Sequence, residues 1–236
     1  MKSVQKTAKF AGVLYLIITV AAIVAHQYVP STLIVPGDAA ATASNIAASE
    51  TLFRVGGVGS ELIILLSEII LSVVLYVLLK PVNKTLSLIA AISRLAMTTI
   101  HGVNLINYYF VLLLVTGTSY VSAFGADQSQ ALVSLFLDAH HYGFTIGIAF
   151  LTIHVFVLGY LILKSGYFPS VLGILFLAAG VGYLVDSFAL LLSTSYDTTP
   201  IFLAIPIALA EIAFPLWLLI KGVNTEGWKK LVPATA

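Results

Sequence analysis

The chain has 236 residues, 60% of them hydrophobic and 9% charged, with a mean hydropathy of +1.06 and a net charge of +1. A soluble domain is about 45–50% apolar and about 25% charged; this composition therefore excludes a soluble globular fold, a disordered chain and a nucleic-acid binder. The absence of cysteine removes disulfides, thiolate metal sites and a cysteine nucleophile.

A spanning helix needs about 20 mostly apolar residues. Six such stretches follow one another, at about Phe10–Val29, Val55–Leu79, Leu86–Val115, Leu132–Leu163, Ser170–Ser193 and Pro200–Ile220. The expected fold class is an all-α membrane protein, a six-transmembrane helix bundle forming a single domain over residues 1–236. Between the first two spans, Pro36-Gly37 signals a turn and Asp38 an N-cap, so a short extra helix is expected over about Ala39–Ser49. Glu50 and Arg54 stand at i, i+4 and form a candidate pair. The short turn Pro81-Val82-Asn83 makes the second and third spans an antiparallel hairpin. In the sixth, Pro206 and Pro215 bracket Glu211 and predict a kink.

With six spans, Lys2, Lys6, Lys9, Lys80, Lys84, Lys164, Lys221, Lys229 and Lys230 all fall on one side, which the positive-inside rule makes the cytoplasm. Both termini are then expected there, with the chain in the plasma membrane. The N-terminal lysines and apolar run resemble a signal peptide, but the run exceeds the usual length of about 7–15 residues and predicts a retained helix. No run of four to eight basic residues occurs, so the lysines read as topology signals. Tyr28, Tyr120 and Tyr196 read as residues of the interfacial aromatic belt, and His26 as interfacial.

Several strings carry a resemblance: Ile34-Val-Pro-Gly-Asp-Ala-Ala-Ala-Thr-Ala43, Tyr76-Val-Leu-Leu-Lys-Pro-Val-Asn83, Asp138-Ala-His-His-Tyr-Gly143, Leu158-Gly-Tyr-Leu-Ile-Leu-Lys-Ser-Gly-Tyr-Phe-Pro169 and Gly182-Tyr-Leu-Val-Asp-Ser-Phe188. Together they resemble the prokaryotic multi-pass membrane family called domain of unknown function 4386. The resemblance implies a polytopic membrane protein and no particular activity.

Ionisable groups inside the hydrocarbon are costly, so each is a candidate functional residue. Glu68 lies about 18 Å along its helix from Lys80, and Arg94 about 15 Å from Lys84, at a rise of about 1.5 Å per residue. Glu61 and His101 are each seven residues further out, a step that returns to the same helix face. Facing polar stripes are therefore expected on the second and third spans. His154 and Glu211 reach the same depth as Arg94, completing a set of Glu68, Arg94, His154 and Glu211 as a polar relay or ion pair. Tyr15, Tyr108, Tyr109, Tyr142 and Tyr183 are available as hydroxyl donors.

A second layer holds Glu61, His101, Asn104, Asn107, Asp138, His140, His141 and Asp186. Imidazole and carboxylate ligands suit a divalent metal. One reading makes His101, Asp138 and His141 metal ligands, Glu61 and Asp186 catalytic groups and Asn104 and Asn107 substrate contacts, for metal-assisted hydrolysis of a lipid or small amphiphile. His140 points about 100° away from His141, so the two need not serve one site. Alternative readings are a proton-coupled carrier of a small molecule, a non-catalytic protein binding a small ligand, and, ranked below these, a b-type haem protein. The bilayer is the one partner the composition requires.

Overall fold

The computed structural model describes residues 2–117, 123–196 and 198–232, so Tyr120 and part of the third-to-fourth connection lie outside the described residues. Among the described residues there are no strands, and six helices are long and apolar enough to cross a membrane. They are α1 (Ser3–Leu33), α3 (Leu52–Leu79), α4 (Lys84–Val115), α5 (Ala126–Ser165), α6 (Ser170–Leu192) and α7 (Ile201–Ile220). The first four exceed the apolar stretches that predict them, since α1 begins among its lysines and α5 begins at Ala126, in the polar connection that precedes its apolar run, while α6 and α7 match theirs to within one residue. Two short helices complete the set: α2 (Ala39–Ala48) and α8 (Thr225–Leu231).

The expected first-loop helix is present. Asp38 caps it by accepting from Ala41 N at 2.8 Å, which satisfies one of the amide donors left over at a helix start. Glu50 and Arg54 pair at the surface. The α8 helix has no counterpart in the sequence expectation; Asn224 caps it, accepting from the amides of Glu226 and Gly227. Both Pro206 and Pro215 lie within an otherwise unbroken α7.

Two stretches depart from α geometry. Ile23–Tyr28 within α1 and Leu52–Gly59 at the start of α3 are π-helical, and they pack on one another. Such segments are rare and cluster at functional sites.

The chain divides into two compact units. One comprises Met1–Leu16, Ser67–Thr98 and Thr145–Ala236. Its core is aromatic around Phe214, whose ring meets Tyr15, Phe168 and Phe176 edge-on at 5.9, 5.6 and 5.3 Å. Here α5 and α6 touch backbone to backbone: a Cβ on Gly159 would stand 2.9 Å from the Gly173 carbonyl oxygen, so small residues set this helix approach. The other unit comprises Ile17–Leu66 and Thr99–Phe144. Its core gathers Val29, Leu33, Phe53, Tyr108, Val111, Leu112 and Val133 around Ile46, through which α2 docks.

Candidate functional sites

The first unit contains a polar network centred on Arg94. The guanidinium grips Glu68 in a bidentate pair, with Nη2 donating to Oε1 at 2.9 Å and Nε donating to Oε2. Nη1 donates to His154 Nε2 at 3.0 Å and to the Tyr15 hydroxyl at 3.4 Å. A guanidinium only donates, so His154 Nε2 is an acceptor. The ring hydrogen therefore sits on Nδ1, which donates to the Ala90 carbonyl at 2.9 Å. Arg94, Glu68, His154 and Tyr15 are all buried. Tyr183 donates to Glu211 Oε1 at 3.3 Å, and Glu211 interacts electrostatically with Arg94 and Glu68. Among the described residues, each spanning helix supplies one member: Tyr15, Glu68, Arg94, His154, Tyr183 and Glu211. Every member makes at least one hydrogen bond to another, which is the pattern of a clamp.

The second unit contains a different arrangement around Glu61. This carboxylate is 4% exposed, and its Oε1 has no hydrogen-bond partner among the described residues. Two imidazoles approach that oxygen, His26 Nδ1 at 3.5 Å and His140 Nε2 at 3.8 Å. Both distances exceed hydrogen-bond length. His26 comes from the π-helical stretch of α1, while Glu61 stands two residues beyond the π-helical stretch of α3.

Aromatic rings surround the cluster. His140 stacks on Tyr108 at 3.7 Å, and Tyr108 meets Phe53 at 4.9 Å. His26 and His101 both pack on Phe144, at 4.8 and 4.6 Å. His101 Nε2 donates to the Phe144 carbonyl at 3.0 Å. Asn104 donates to the His140 carbonyl at 2.8 Å and accepts from Asn107 at 2.9 Å. Gly143 is required there, because a Cβ would overlap the Asn104 amide.

A family model described as "Domain of unknown function (DUF4386)" matches residues 10–222. The chain belongs to this family. An uncharacterised protein of Archaeoglobus fulgidus is 31% identical to it over 166 residues, which cover 70% of this chain and 82% of that relative. No solved structure matches the chain. Neither name states an activity, so the chemistry of this DUF4386 chain rests on its own residues.

The expected relay set assembles as a unit. Glu68 and Arg94 pair, His154 joins them, and Glu211 reaches them through charge, with Tyr15 and Tyr183 as the hydroxyl partners. The expected metal and catalytic set is distributed more widely. His101 and Glu61 belong to the second cluster, with Asn104 and Asn107 beside His140. Asp138 and His141 are exposed, and His141 rests against Tyr142. They lie about 39 and about 35 Å along α5 from Lys164, further than the hydrocarbon core of about 30 Å. Asp186 belongs to the first unit and accepts from Tyr196 at 2.6 Å, in the loop after α6. Among the described residues, no three His, Asp or Glu side chains are arranged to hold a metal ion.

Two members of the Glu61 cluster stand outside the expected site residues. His26 faces Glu61, and His140, next to His141, supplies the buried imidazole. The signal that finds His26 is depth: it lies about 26 Å along α1 from Lys9, as His101 does along α4 from Lys84.

Proposed function

We propose that this DUF4386 protein is a proton-coupled membrane carrier of a small molecule, with Glu61, His26 and His140 as its proton-binding centre. The observation that carries the reading is a buried carboxylate oxygen with no hydrogen bond and two imidazoles just beyond bonding distance. A carboxylate desolvated in this way must gain a proton or a cationic neighbour. Each histidine has a ring nitrogen able to hold a proton or to donate to that oxygen. With neutral imidazoles and an ionised Glu61 the centre carries −1; one proton makes it neutral. Further titratable groups on the packed helices are His101 and Tyr108 of α4 and His141 of α5, all within electrostatic reach of the cluster.

The π-helical stretches support coupling. Loading a proton draws Glu61 and a histidine into bonding distance, and a π-to-α register change supplies that movement without unfolding a helix. The Arg94 network has the opposite character and acts as the fixed clamp of its unit. Ionisable residues inside transmembrane helices recur in proton relays of this kind.

The test is electrical. Proteoliposomes adsorbed on a sensor are subjected to a pH jump, and a small-solute panel is then applied. The expected result is a transient charge movement and solute-dependent proton uptake, both lost in Glu61→Gln and retained in Lys230→Gln. Wild-type protein giving no solute-dependent proton flux, or Glu61→Gln giving wild-type signals, overturns the reading.

A further inference from the structure

The first unit contains a cavity of about 540 Å³ that the carrier reading does not use. Its walls come from three separated segments: the first turns of α1, the end of α3 and the short helix α8. Ser3, Thr7, Thr225 and Lys229 supply its polar lining, the Thr7 hydroxyl donating to the Ser3 carbonyl at 3.0 Å, and Trp228 and Leu78 are among its apolar residues. Among the described residues, no carboxylate lines it. The acid of these segments, Glu226, is exposed and lies outside the lining.

The walls are held in place by bonds that serve no other evident purpose. Gln5 joins α1 to the approach of α8, donating to the Val223 carbonyl and accepting from Val223 N at 3.2 Å. Asn224 N donates to the Tyr167 carbonyl at 3.1 Å, and the Tyr167 hydroxyl donates to the Leu78 carbonyl at 2.6 Å. The Tyr167 ring meets Trp228 edge-on at 5.1 Å. One aromatic residue thus ties the end of α3 to α8, both of which line the cavity. Lys6 and Lys80 flank two of these segments and are exposed.

We propose that this cavity is a binding site for the phosphodiester headgroup of an anionic phospholipid. The lining matches that ligand in three respects. The Ser3 and Thr225 hydroxyls donate to non-bridging phosphate oxygens, the Lys229 ammonium balances the charge, and an indole beside aliphatic side chains packs on the glycerol and the first methylenes, as interfacial tryptophans do. The surrounding lysines favour an anionic lipid over a zwitterionic one. A run of basic residues is unnecessary, because folding gathers the lining from positions more than two hundred residues apart.

Native mass spectrometry of the purified full-length chain tests the assignment. The probes are dioleoylphosphatidylglycerol, dioleoylphosphatidylcholine and inorganic phosphate. Wild type should retain the phosphatidylglycerol about tenfold better than the phosphatidylcholine. Lys229→Gln and Thr225→Val, each checked for native helicity by circular dichroism, should bring the two lipids level, while Lys230→Gln should keep the preference. Should either variant fail to fold, Ser3→Ala provides the same readout from α1. Equal retention by wild type overturns the proposal. So does a preference that survives all three lining variants, or one that Lys230→Gln removes as effectively. Displacement of the phosphatidylglycerol by inorganic phosphate would assign the cavity to free phosphate and overturn the lipid assignment.

Discussion

Replacing Glu68 alone should damage the protein far more than replacing Glu68 and Arg94 together. The two side chains are 6% and 7% exposed, and they form a bidentate pair. Glu68→Met leaves the guanidinium buried with two neutral partners, Tyr15 and His154, and the more distant charge of Glu211. Breaking a buried pair from one side costs about 3–5 kcal/mol. Adding Arg94→Met removes the orphaned cation. What remains is His154 Nε2, which has lost its donor, at about 1–3 kcal/mol. The double variant should therefore sit about 2 kcal/mol closer to wild type than Glu68→Met does. Reversible unfolding in mixed lipid–detergent micelles, titrated with dodecyl sulfate and followed by circular dichroism, reads these differences. A double variant that costs as much as the sum of its singles would refute the clamp, because the two charges would then be energetically independent.

Three further outcomes follow from particular contacts. Gly143→Ala should destabilise by about 1–3 kcal/mol through overpacking against Asn104, and the same micelle titration should show that penalty shrinking in an Asn104→Ala background. Partial burial, then the hydrogen bond to Asp186 and its charge, push the Tyr196 phenol up to about 12; this contribution to stability is present below the ordinary value of about 10 and is lost as pH rises through about 12. Phenolate absorbance, with Tyr196→Phe as the blank, should show the midpoint falling towards about 10 in Asp186→Asn, and a wild-type midpoint already near about 10 would contradict the contact. Reporter fusions after Lys84 and after Asp127 should report opposite sides of the membrane, with Lys84 cytoplasmic; the same side for both would exclude a single crossing by α4.

The spans and the Arg94 network are legible in the sequence for simple reasons. Apolar length marks a spanning helix irrespective of its neighbours. Glu68 and Arg94 sit at matched depth either side of a short turn, so a hairpin brings them level. Which imidazole of the second cluster turns inward is harder to read. A soluble helix reveals its buried face by hydrophobicity, but a spanning helix is apolar towards lipid and towards protein alike. The phase of α5 is therefore open, and the choice between His140 and His141 with it. The two π-helical stretches add a second obstacle. A step of about 100° per residue holds only for α geometry, and His26 lies inside a stretch with a different period. The cavity beside α8 is invisible for a third reason, since its walls meet only through Tyr167, Gln5 and Trp228 after the chain has folded.

Glu61 and Glu68 stand seven residues apart on one helix, with the same chemistry and nearly the same burial. Their partners separate their roles. Glu68 faces arginine, a cation that does not lose its charge in a protein, so its pair is fixed and its oxygens are occupied. Glu61 faces imidazoles, whose charge depends on a proton, and its Oε1 is left unbonded. Leaving a buried acceptor unbonded costs about 1–3 kcal/mol. Exchanging Glu61 for an apolar residue would relieve that cost without disturbing any bond the clamp makes. Stability alone gives no reason for such a group beside two histidines, one of them within a π-helical stretch and Glu61 itself just beyond the other. The unbonded carboxylate is intelligible if a proton or a solute completes its bonding during a working cycle, which is why the proposed carrier reading centres on Glu61 rather than on the better-satisfied Glu68.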